Sequence, residues 1–274
     1  MNESKNQSRP LALITGASAG IGAEYARQMA AAGYDVALTA RRRERLDELA
    51  AELSADHGIE CLVIAADLAE ADAPASIMAE IEASGRQVTV LVNNAGYAIG
   101  GFLNQADWDE HRQFLQVMVN AVTELCHRCL PGIREQNTGG IINVASLAGI
   151  VPGSSGHTLY AAVKAYMIKL SESLAMENTD RRICIQAICP GFTYSEFHDV
   201  VGTRDIVSKM PDYMWMNADE VVAISLREFG NPKAPVMLVP GRWNRFVAML
   251  TRKLPYRASF ALMKKRSGSF RRQE

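Results

Sequence analysis

The sequence lacks a long apolar run, an excess of charge of one sign and an even set of cysteines. No stretch approaches the about 18 uninterrupted apolar residues of a spanning helix, and polar residues 1–10 hold no apolar run of signal-peptide length. The formal net charge of −1 gives no reason to expect a nucleic acid partner. Five cysteines, scattered through predicted strands and helices, favour reduced thiols and a cytoplasmic location.

Cys126 and Cys129 form a CxxC motif that could serve redox chemistry, metal binding or packing. A redox pair is expected to open a helix directly after a strand, and a zinc site needs two further ligands. This pair instead lies inside a long helical pattern, with both residues on one face. The position favours core packing, and we expect no metal site.

Strands and helices alternate along the chain, a pattern typical of a doubly wound, mainly parallel sheet. We predict one α/β domain over residues 1–274, with a Rossmann-like seven-stranded sheet flanked by helices. Periodicity places strands at 11–15, 35–40, 61–65, 88–92, 140–145, 183–189 and 236–239. The helices are expected at 21–32, 43–55, 73–84, 107–133 and 160–176. Residues 1–9 are expected to be flexible, 192–217 to form a lid over the substrate, and 241–274 to form an extension.

A glycine-rich turn, TGASAGIG at residues 15–22, joins the first strand to the first helix. Glycines let a backbone approach a pyrophosphate closely, and the following helix directs N–H groups and its positive dipole end at it. A plain turn would also tolerate glycine, but the strand before it and the helix after it favour a dinucleotide site.

The chain resembles the short-chain dehydrogenase/reductase family, in which TGxxxGxG is the usual cofactor turn. Asp67-Leu68, the run NNAG at 93–96, Ser146 and Tyr160-x-x-x-Lys164 follow in the order that this family requires. Together they extend the resemblance over residues 10 to about 200. It implies an oxidoreductase that moves a hydride between a nicotinamide and a carbonyl or alcohol. Epimerases and dehydratases of related fold are disfavoured by the chain length and the glycine spacing.

The resemblance also implies which residues contact the cofactor. Asp67 resembles the residue beside the adenine, Asn93 the one that braces the ribose side, and the loop at 190–193 the one over the nicotinamide carboxamide. Ser195 stands where the family often carries a threonine, and its hydroxyl is expected to keep that contact. Tyr160 and Lys164 are implied to contact the cofactor. The other implied contacts are Gly16, Ser18, Gly20, Ile21, Gly22, Asp67, Leu68, Asn93, Ala95, Gly96, Pro190, Gly191, Thr193 and Ser195.

The end of the second strand predicts a preference for NADP(H). An NAD-binding domain usually carries an acid there for the ribose 2′-hydroxyl, whereas this chain has Thr39-Ala40 followed by Arg41, Arg42 and Arg43. These arginines could simply solvate a helix start, but cations are poorly placed at a helix N-terminus. Guanidinium groups bind phosphate well, so we expect Arg41 to be the main contact of the 2′-phosphate and Arg42 the second.

Four residues are candidates for catalysis. Tyr160 and Lys164 lie one helical turn apart, on one face. A nearby ammonium, together with the cationic nicotinamide when it is oxidised, favours phenolate, so we expect the pKa of Tyr160 to fall from near 10 toward about 7. The family resemblance implies that Tyr160 is the acid/base, that Lys164 also holds the ribose, and that Asn120 anchors a water. Ser146 is placed to orient the substrate oxygen.

The predicted lid and the C-terminal segment carry the remaining clues. Met210, Tyr213, Met214, Trp215 and Met216 could bind an apolar acyl chain, steroid or ring ketone, or could pack the lid on the domain. Residues 241–274 contain ten Lys or Arg and one acid, a charge of 10 − 1 = +9, against −10 for the remainder (19 − 29).

Apolar side chains recur at helical spacing in the extension, at Trp243, Phe246, Val247, Leu250 and Leu254. A basic amphipathic segment of this kind can lie on an anionic membrane surface. It can also pack on its own fold, cap a lipid pocket or bind the acidic body of a neighbouring subunit. The sequence leaves these four alternatives open.

Two classes of function compete. The first is an NADPH-dependent carbonyl reductase or alcohol dehydrogenase, acting on a small apolar substrate and assembled as a homodimer or homotetramer, as the resemblance implies. The second is a non-catalytic NADP(H) sensor or scaffold of the same fold. A sensor has no need of the serine, tyrosine, lysine and asparagine together, so their presence favours the enzyme.

Overall fold

The computed structural model describes residues 9–153, 155–156, 158–196 and 210–267. Residues 266 and 267 are described in backbone only. The expected flexible N-terminus lies outside this range except for Arg9, as do the central residues of the expected lid and the last seven of the chain.

The central sheet consists of seven parallel strands. They are β1 Leu11–Thr15, β2 Asp35–Ala40, β3 Cys61–Ala65, β4 Val88–Asn93, β5 Gly140–Val144, β6 Cys184–Ile188 and β9 Met237–Leu238. Their order across the sheet is β3-β2-β1-β4-β5-β6-β9. This confirms the predicted doubly wound fold, because the strand order reverses between β1 and β4 and opens a crevice at their carboxyl ends.

Helices cover both faces of the sheet and enclose one hydrophobic core on each side. The helices are α1 Gly20–Ala31, α2 Arg43–His57, α3 Ala73–Ala83, α4 Trp108–Leu115, α5 Ala121–Gln136, α6 Thr158–Glu177, α7 Ala218–Glu228, α8 Arg242–Lys253 and α9 Tyr256–Ser267. One core lies under α3 to α6 and the other under α1, α2 and α7.

The prediction of a single α-helix at 107–133 is wrong. A π-helical turn, Gln116–Asn120, separates α4 from α5. One extra residue in such a turn leaves the apolar periodicity on either side almost unchanged, so the sequence pattern does not reveal it. π-turns of this kind occur frequently at functional sites, and this one ends at Asn120.

The part of the predicted lid that the structure describes is a second, small sheet. β7 Phe192–Tyr194 pairs in parallel with β8 Trp215–Asn217. Trp215 is almost fully buried and stacks on Tyr194, with ring centroids 4.6 Å apart. The structure therefore supports a packing role for Trp215 rather than contact with the substrate.

Candidate active site

The glycine turn after β1 lies at the crevice and is held at van der Waals distance from its neighbours. A Cβ on Gly22 would overlap the Gly16 carbonyl, and one on Gly20 would lie 2.9 Å from the Cβ of Ser195. Helix α1 follows with no side-chain cap and no acid in its first turn. A helix N-terminus with no capping side chain at Ala19 fits the pyrophosphate of a dinucleotide.

Thr15 and Asn94 fasten this turn to the end of β4. The Thr15 hydroxyl accepts hydrogen bonds from the backbone N–H groups of Asn94 and Ala95, at 2.9 and 3.0 Å. The Asn94 side-chain amide donates to the carbonyls of Thr15 and Gly16, at 2.9 and 3.2 Å. Both residues lie within the sequence motifs, although no role was predicted for either. They position the turn rather than contact a ligand.

Arg42 connects the end of β2 to the glycine turn. Its guanidinium donates to the Ser18 hydroxyl at 3.0 Å and to the Glu196 carboxylate at 3.0 Å. Arg45 donates to the other Glu196 oxygen at 2.6 Å, and the hydrogen bonds from Arg45 and Arg42 lower the pKa of Glu196. Arg41 is exposed and forms no hydrogen bond or ion pair with the described residues. A carboxylate thus already lies where cations and a hydroxyl converge.

The remaining predicted contacts line the crevice along β3 and β4. Asp67 accepts a hydrogen bond from the Ala69 backbone at 3.0 Å, and Leu68 is buried in the core. Asn93 is buried and donates to Asn143 at 2.9 Å, while its own amide oxygen has no hydrogen-bond partner among the described residues. A Cβ on Gly96 would lie 2.9 Å from the Met118 sulfur. These contacts hold Asn93 within the sheet rather than pointing it freely at a ligand.

The structure brings Tyr160, Ser146 and Lys164 together at the carboxyl end of β5. The Ser146 hydroxyl lies close enough to the Tyr160 phenol to lower its pKa, and it donates to the Pro190 carbonyl at 3.5 Å. The Lys164 ammonium lies 5.6 Å from the centroid of the Tyr160 ring and donates to the Val144 carbonyl at 2.7 Å. Lys164 is only 4% exposed. An acid, a cation and a second hydroxyl thus share one site.

A short 3₁₀ turn, Leu147–Gly149, sets the position of Ser146 relative to α6. Ser146 caps this turn by accepting from the Ala148 backbone at 3.1 Å. A Cβ on Gly149 would lie 2.6 Å from the Lys164 backbone carbon, so only glycine allows the turn to lie this close to α6. The close contact holds the serine beside the tyrosine.

Burial dominates the acid–base properties of this group. It raises the pKa of Tyr160 to about 12, against a smaller lowering by the Ser146 hydrogen bond, and it lowers the pKa of Lys164 to about 8. For the protein without cofactor, the shift of Tyr160 is opposite in direction to the lowering that was predicted with an oxidised nicotinamide beside it. Desolvation of the phenolate is the largest cause of the shift, and the same burial disfavours the charge of Lys164.

Asn120, the fourth predicted catalytic residue, is not joined to this group by a hydrogen bond. Its side chain is exposed and donates to Gln116 at 2.8 Å, across the π-helical turn. The turn places it at the junction of α4 and α5. Its role in holding a water remains a prediction.

The loop after β6 closes the crevice opposite the glycine turn. The Pro190 carbonyl accepts from the Leu147 backbone at 2.9 Å, and the Thr193 hydroxyl donates to the Gly191 carbonyl at 3.3 Å. Ser195 lies in direct contact with Gly20, at the point where this loop meets the glycine turn. The predicted carboxamide loop and the predicted pyrophosphate turn therefore lie on opposite sides of one cleft.

An apolar wall beside Tyr160 was not predicted from the sequence. A cavity of about 10 Å³ is bordered by Tyr160, by the apolar Ile99, Phe102, Leu103 and Leu159, and by the polar His111 and Thr158. Phe102 and Leu103 are exposed although they are large and apolar. Residues 97–106 carry no motif, and only the topology places them against α6.

The CxxC pair is confirmed as core packing. Cys126 and Cys129 are both buried, and burial raises the pKa of the Cys126 thiol to about 12. Among the residues that the structure describes, no group of three or more His, Cys, Asp or Glu side chains could hold a metal ion.

Comparisons with known proteins identify the family of this chain. A family described as short chain dehydrogenase matches residues 10–205. The chain is 34% identical over 191 residues to the 3-oxoacyl-[acyl-carrier-protein] reductase FabG of Staphylococcus aureus (strain Mu50), covering 69% of this chain and 77% of that protein. It is also 34% identical to the very-long-chain 3-oxoacyl-CoA reductase of Anas platyrhynchos, covering 69% and 61%.

Among solved structures, the chain is similar to a short-chain dehydrogenase from Sphingobium yanoikuyae in complex with NADPH. The two share 31% identity with a TM-score of 0.75, covering 90% of this chain and 96% of the other. With the family match spanning well over half of the sequence, the chain belongs to the short-chain dehydrogenase family of oxidoreductases.

Proposed function

We propose that this protein is an NADPH-dependent reductase of apolar ketones or aldehydes, which can also oxidise the corresponding alcohols. The observation that carries the proposal is the convergence of Tyr160, Ser146 and the buried ammonium of Lys164, which lies 5.6 Å from the centroid of the Tyr160 ring. A sensor or scaffold of this fold would have no use for a proton donor there.

The proposed roles follow from the protonation states. With a pKa of about 12, Tyr160 keeps its proton at neutral pH and can give it to a substrate oxygen that becomes negative. Ser146 can donate a hydrogen bond to the same oxygen and hold it next to the phenol. A bound nicotinamide supplies the hydride. Lys164, with a pKa of about 8, is mostly cationic at neutral pH and stabilises negative charge on Tyr160 after the proton has left.

Three observations support NADP(H) as the cofactor. β2 ends without an acid, and Arg41 follows it, exposed and without an ion pair in the described part of the chain. Arg42 already binds a carboxylate together with Ser18, so the position accepts an anion. The solved relative from Sphingobium yanoikuyae binds NADPH. Contact by Ser18 and Arg42 matches the chemistry that a 2′-phosphate needs.

The substrate is proposed to be an acyl chain that carries a ketone. The exposed apolar side chains of Phe102 and Leu103 lie beside Tyr160 and could contact such a chain. Two of the relatives are named as reductases of 3-oxoacyl groups, one on acyl carrier protein and one on coenzyme A. Steroid and ring ketones would fit the same apolar wall and belong in the same test.

Cytoplasmic location and assembly as a homodimer or homotetramer complete the proposal. Free thiols support the first, since all five cysteines are unpaired in the described residues. The second depends on the family resemblance. Sedimentation velocity of the purified chain would measure its mass, and a monomer at all concentrations would exclude the assembly.

The test compares the parent protein with Tyr160→Phe on a panel of ketones. The panel contains 3-oxoacyl thioesters of increasing chain length, steroid ketones and cyclic ketones, each followed by NADPH absorbance. We expect turnover by the parent and a loss of roughly a hundred- to ten-thousand-fold in Tyr160→Phe, with NADPH binding retained. If the parent binds NADPH and reduces nothing, the sensor is the better explanation.

A further inference from the structure

The C-terminal helices present a surface of cations and large apolar side chains that the proposed reaction does not use. Residues 241–267 contain eight Lys or Arg and no Asp or Glu. They lie beyond residue 205, where the match to the family ends. We propose that this surface docks the protein on an anionic membrane.

Helix α8 divides its residues between two faces. Trp243, Asn244, Val247, Ala248 and Leu250 face the domain and are buried or half-buried. The opposite face is exposed from end to end. Its members are Arg242, Arg245, Phe246, Met249, Arg252 and Lys253. We call these residues, together with Tyr256, Arg257 and Phe260 of α9, the cationic surface.

Helix α9 extends the same chemistry through its Tyr256, Arg257 and Phe260. The rings of Tyr256 and Phe260 stack with centroids 5.9 Å apart, yet they are 73% and 45% exposed. On α8, Phe246 and Met249 are 47% and 46% exposed. Aromatic and apolar side chains that emerge among cations are typical of segments that lie at a membrane interface.

Within the part of the chain that the structure describes, the cations of this surface have no carboxylate partners. Arg242, Arg245, Arg252, Lys253 and Arg257 form no ion pair with any described residue, whereas arginines elsewhere, such as Arg27 and Arg86, do. A surface with several unpaired cations and no acid needs an anionic counterpart. Lipid phosphates supply many negative charges in one plane, while the interfacial region accepts the apolar side chains.

A second copy of this chain fits the surface less well. A twofold interface brings a patch against itself, and this patch would place cation against cation. A reciprocal twofold contact of each basic segment with the acidic body of the other copy is the remaining alternative, and the dimer outcome of the test below would reveal it. The membrane is therefore the occupant to which we commit.

Docking there would bring the catalytic cleft to the bilayer. Asn244 on α8 lies directly against Gly191 of the loop that closes the cleft, since a Cβ on Gly191 would overlap the Asn244 side chain. Trp243 contacts Tyr213 edge-on, with centroids 5.1 Å apart. In the described residues no helix is long and apolar enough to cross a membrane, and the contact proposed is a peripheral one.

The test uses the full chain and sedimentation with vesicles of phosphatidylcholine alone or mixed with phosphatidylglycerol. We expect binding only to the mixed vesicles and release by added salt, because the attraction between exposed charges is screened. The double variant Arg252→Glu, Lys253→Glu should bind at least about tenfold more weakly. Phe246→Ser with Met249→Ser should also weaken binding, without changing its dependence on salt.

The matched control is Arg181→Glu, Arg182→Glu, which makes the same change in charge at two exposed arginines before β6. It should bind mixed vesicles like the parent, and all variants should retain NADPH binding. Equal loss in the control would reduce the effect to net charge and overturn the proposal. The proposal would also be overturned if the parent failed to bind mixed vesicles. It would likewise be overturned if the parent were a dimer and the double variant Arg252→Glu, Lys253→Glu were a monomer. Ketone reduction is measured separately, and its outcome bears on the proposed reductase activity alone.

Discussion

In the proposed reaction, the pKa values of Tyr160 and Lys164 affect the rates of the two directions differently. A tyrosine with a pKa of about 12 is an acid at neutral pH, ready to protonate an oxygen, and it is a poor base. The predicted pKa near 7 would instead have suited both directions equally. In the free protein the residues therefore favour carbonyl reduction, and alcohol oxidation requires the phenol to lose a proton that burial retains.

The pH dependence of the two directions should differ accordingly. Lys164 has its pKa lowered from 10.5 to about 8, so its ammonium is present below about pH 8 and lost above it. We expect kcat/KM for reduction to fall above pH 8, and the oxidation rate to rise with pH as phenolate becomes accessible. Profiles between about pH 6 and 9.5 would show this. A reduction rate that is flat to pH 9.5 would contradict the pKa of Lys164.

Glu196 should set how strongly the protein prefers NADPH. Its carboxylate binds Arg42 and Arg45 and would repel a 2′-phosphate that uses Arg42. In Glu196→Gln we expect NADPH affinity to rise about threefold and NADH affinity to stay the same, a modest change because the ion pairs are exposed. Titration with both cofactors, followed by nicotinamide fluorescence, measures it.

Glu52→Gln is a suitable control for Glu196→Gln. Glu52 pairs with Arg27 at 2.7 Å and is about as exposed as Glu196, with side-chain exposures of 41% and 43%. It should leave both affinities unchanged. Weaker NADPH binding in Glu196→Gln would mean that Glu196 positions Arg42 for the cofactor rather than competes with it.

At the scale of elements, the strands were predicted more accurately than the helices and loops between them. β1, β2 and β3 have the predicted bounds because each is a short apolar run ended by polar or glycine residues. The π-helical turn before Ala121 was missed because it barely alters periodicity. β7 and β8 were missed because strands of three residues carry too little pattern.

The candidate site shows the same division. Tyr160, Lys164 and Ser146 could be predicted because a fixed spacing on one helix and a position at a strand end determine their geometry. Glu196 could not, since it meets Arg42 across 154 residues of sequence and no motif marks it. The pKa of Tyr160 could not be predicted either, because it depends on how completely the surrounding elements exclude water.

The turn between β1 and α1 should be intolerant of a single methyl group. A Cβ on Gly22 would overlap the Gly16 carbonyl and the Asn94 side chain, and the backbone carbonyl cannot move without shifting the turn. We expect Gly22→Ala to weaken NADPH binding at least tenfold and to destabilise the fold by about 1–3 kcal/mol. NADPH titration and thermal unfolding measure the two effects. Gly153→Ala, where nothing lies within 4 Å of the added methyl, should change neither.

The whole molecule combines an acidic body with a basic C-terminal segment, of charges −10 and +9. The basic segment packs against the acidic body beside the candidate active site. The buried face of α8 packs on the loop after β6, and Asn244 is 3% exposed there. The segment is therefore part of the domain that holds the catalytic cleft, although the family match ends before it. A change in α8 should be felt at the cleft without any membrane present.

Asn244 offers the test of this coupling. Its amide donates to the Pro240 carbonyl at 3.0 Å, and its side chain fills the space against Gly191. Asn244→Ala leaves a gap beneath the loop, and a loop without this support positions the reacting groups less well. We therefore expect kcat for ketone reduction to fall about fivefold. Vesicle binding should be unchanged. Asn231→Ala, at an exposed site bonded only to nearby Glu228 and Lys233, is the control and should behave like the parent. An unchanged kcat in Asn244→Ala would show that the loop keeps its shape without α8, and that the basic segment and the cleft act independently.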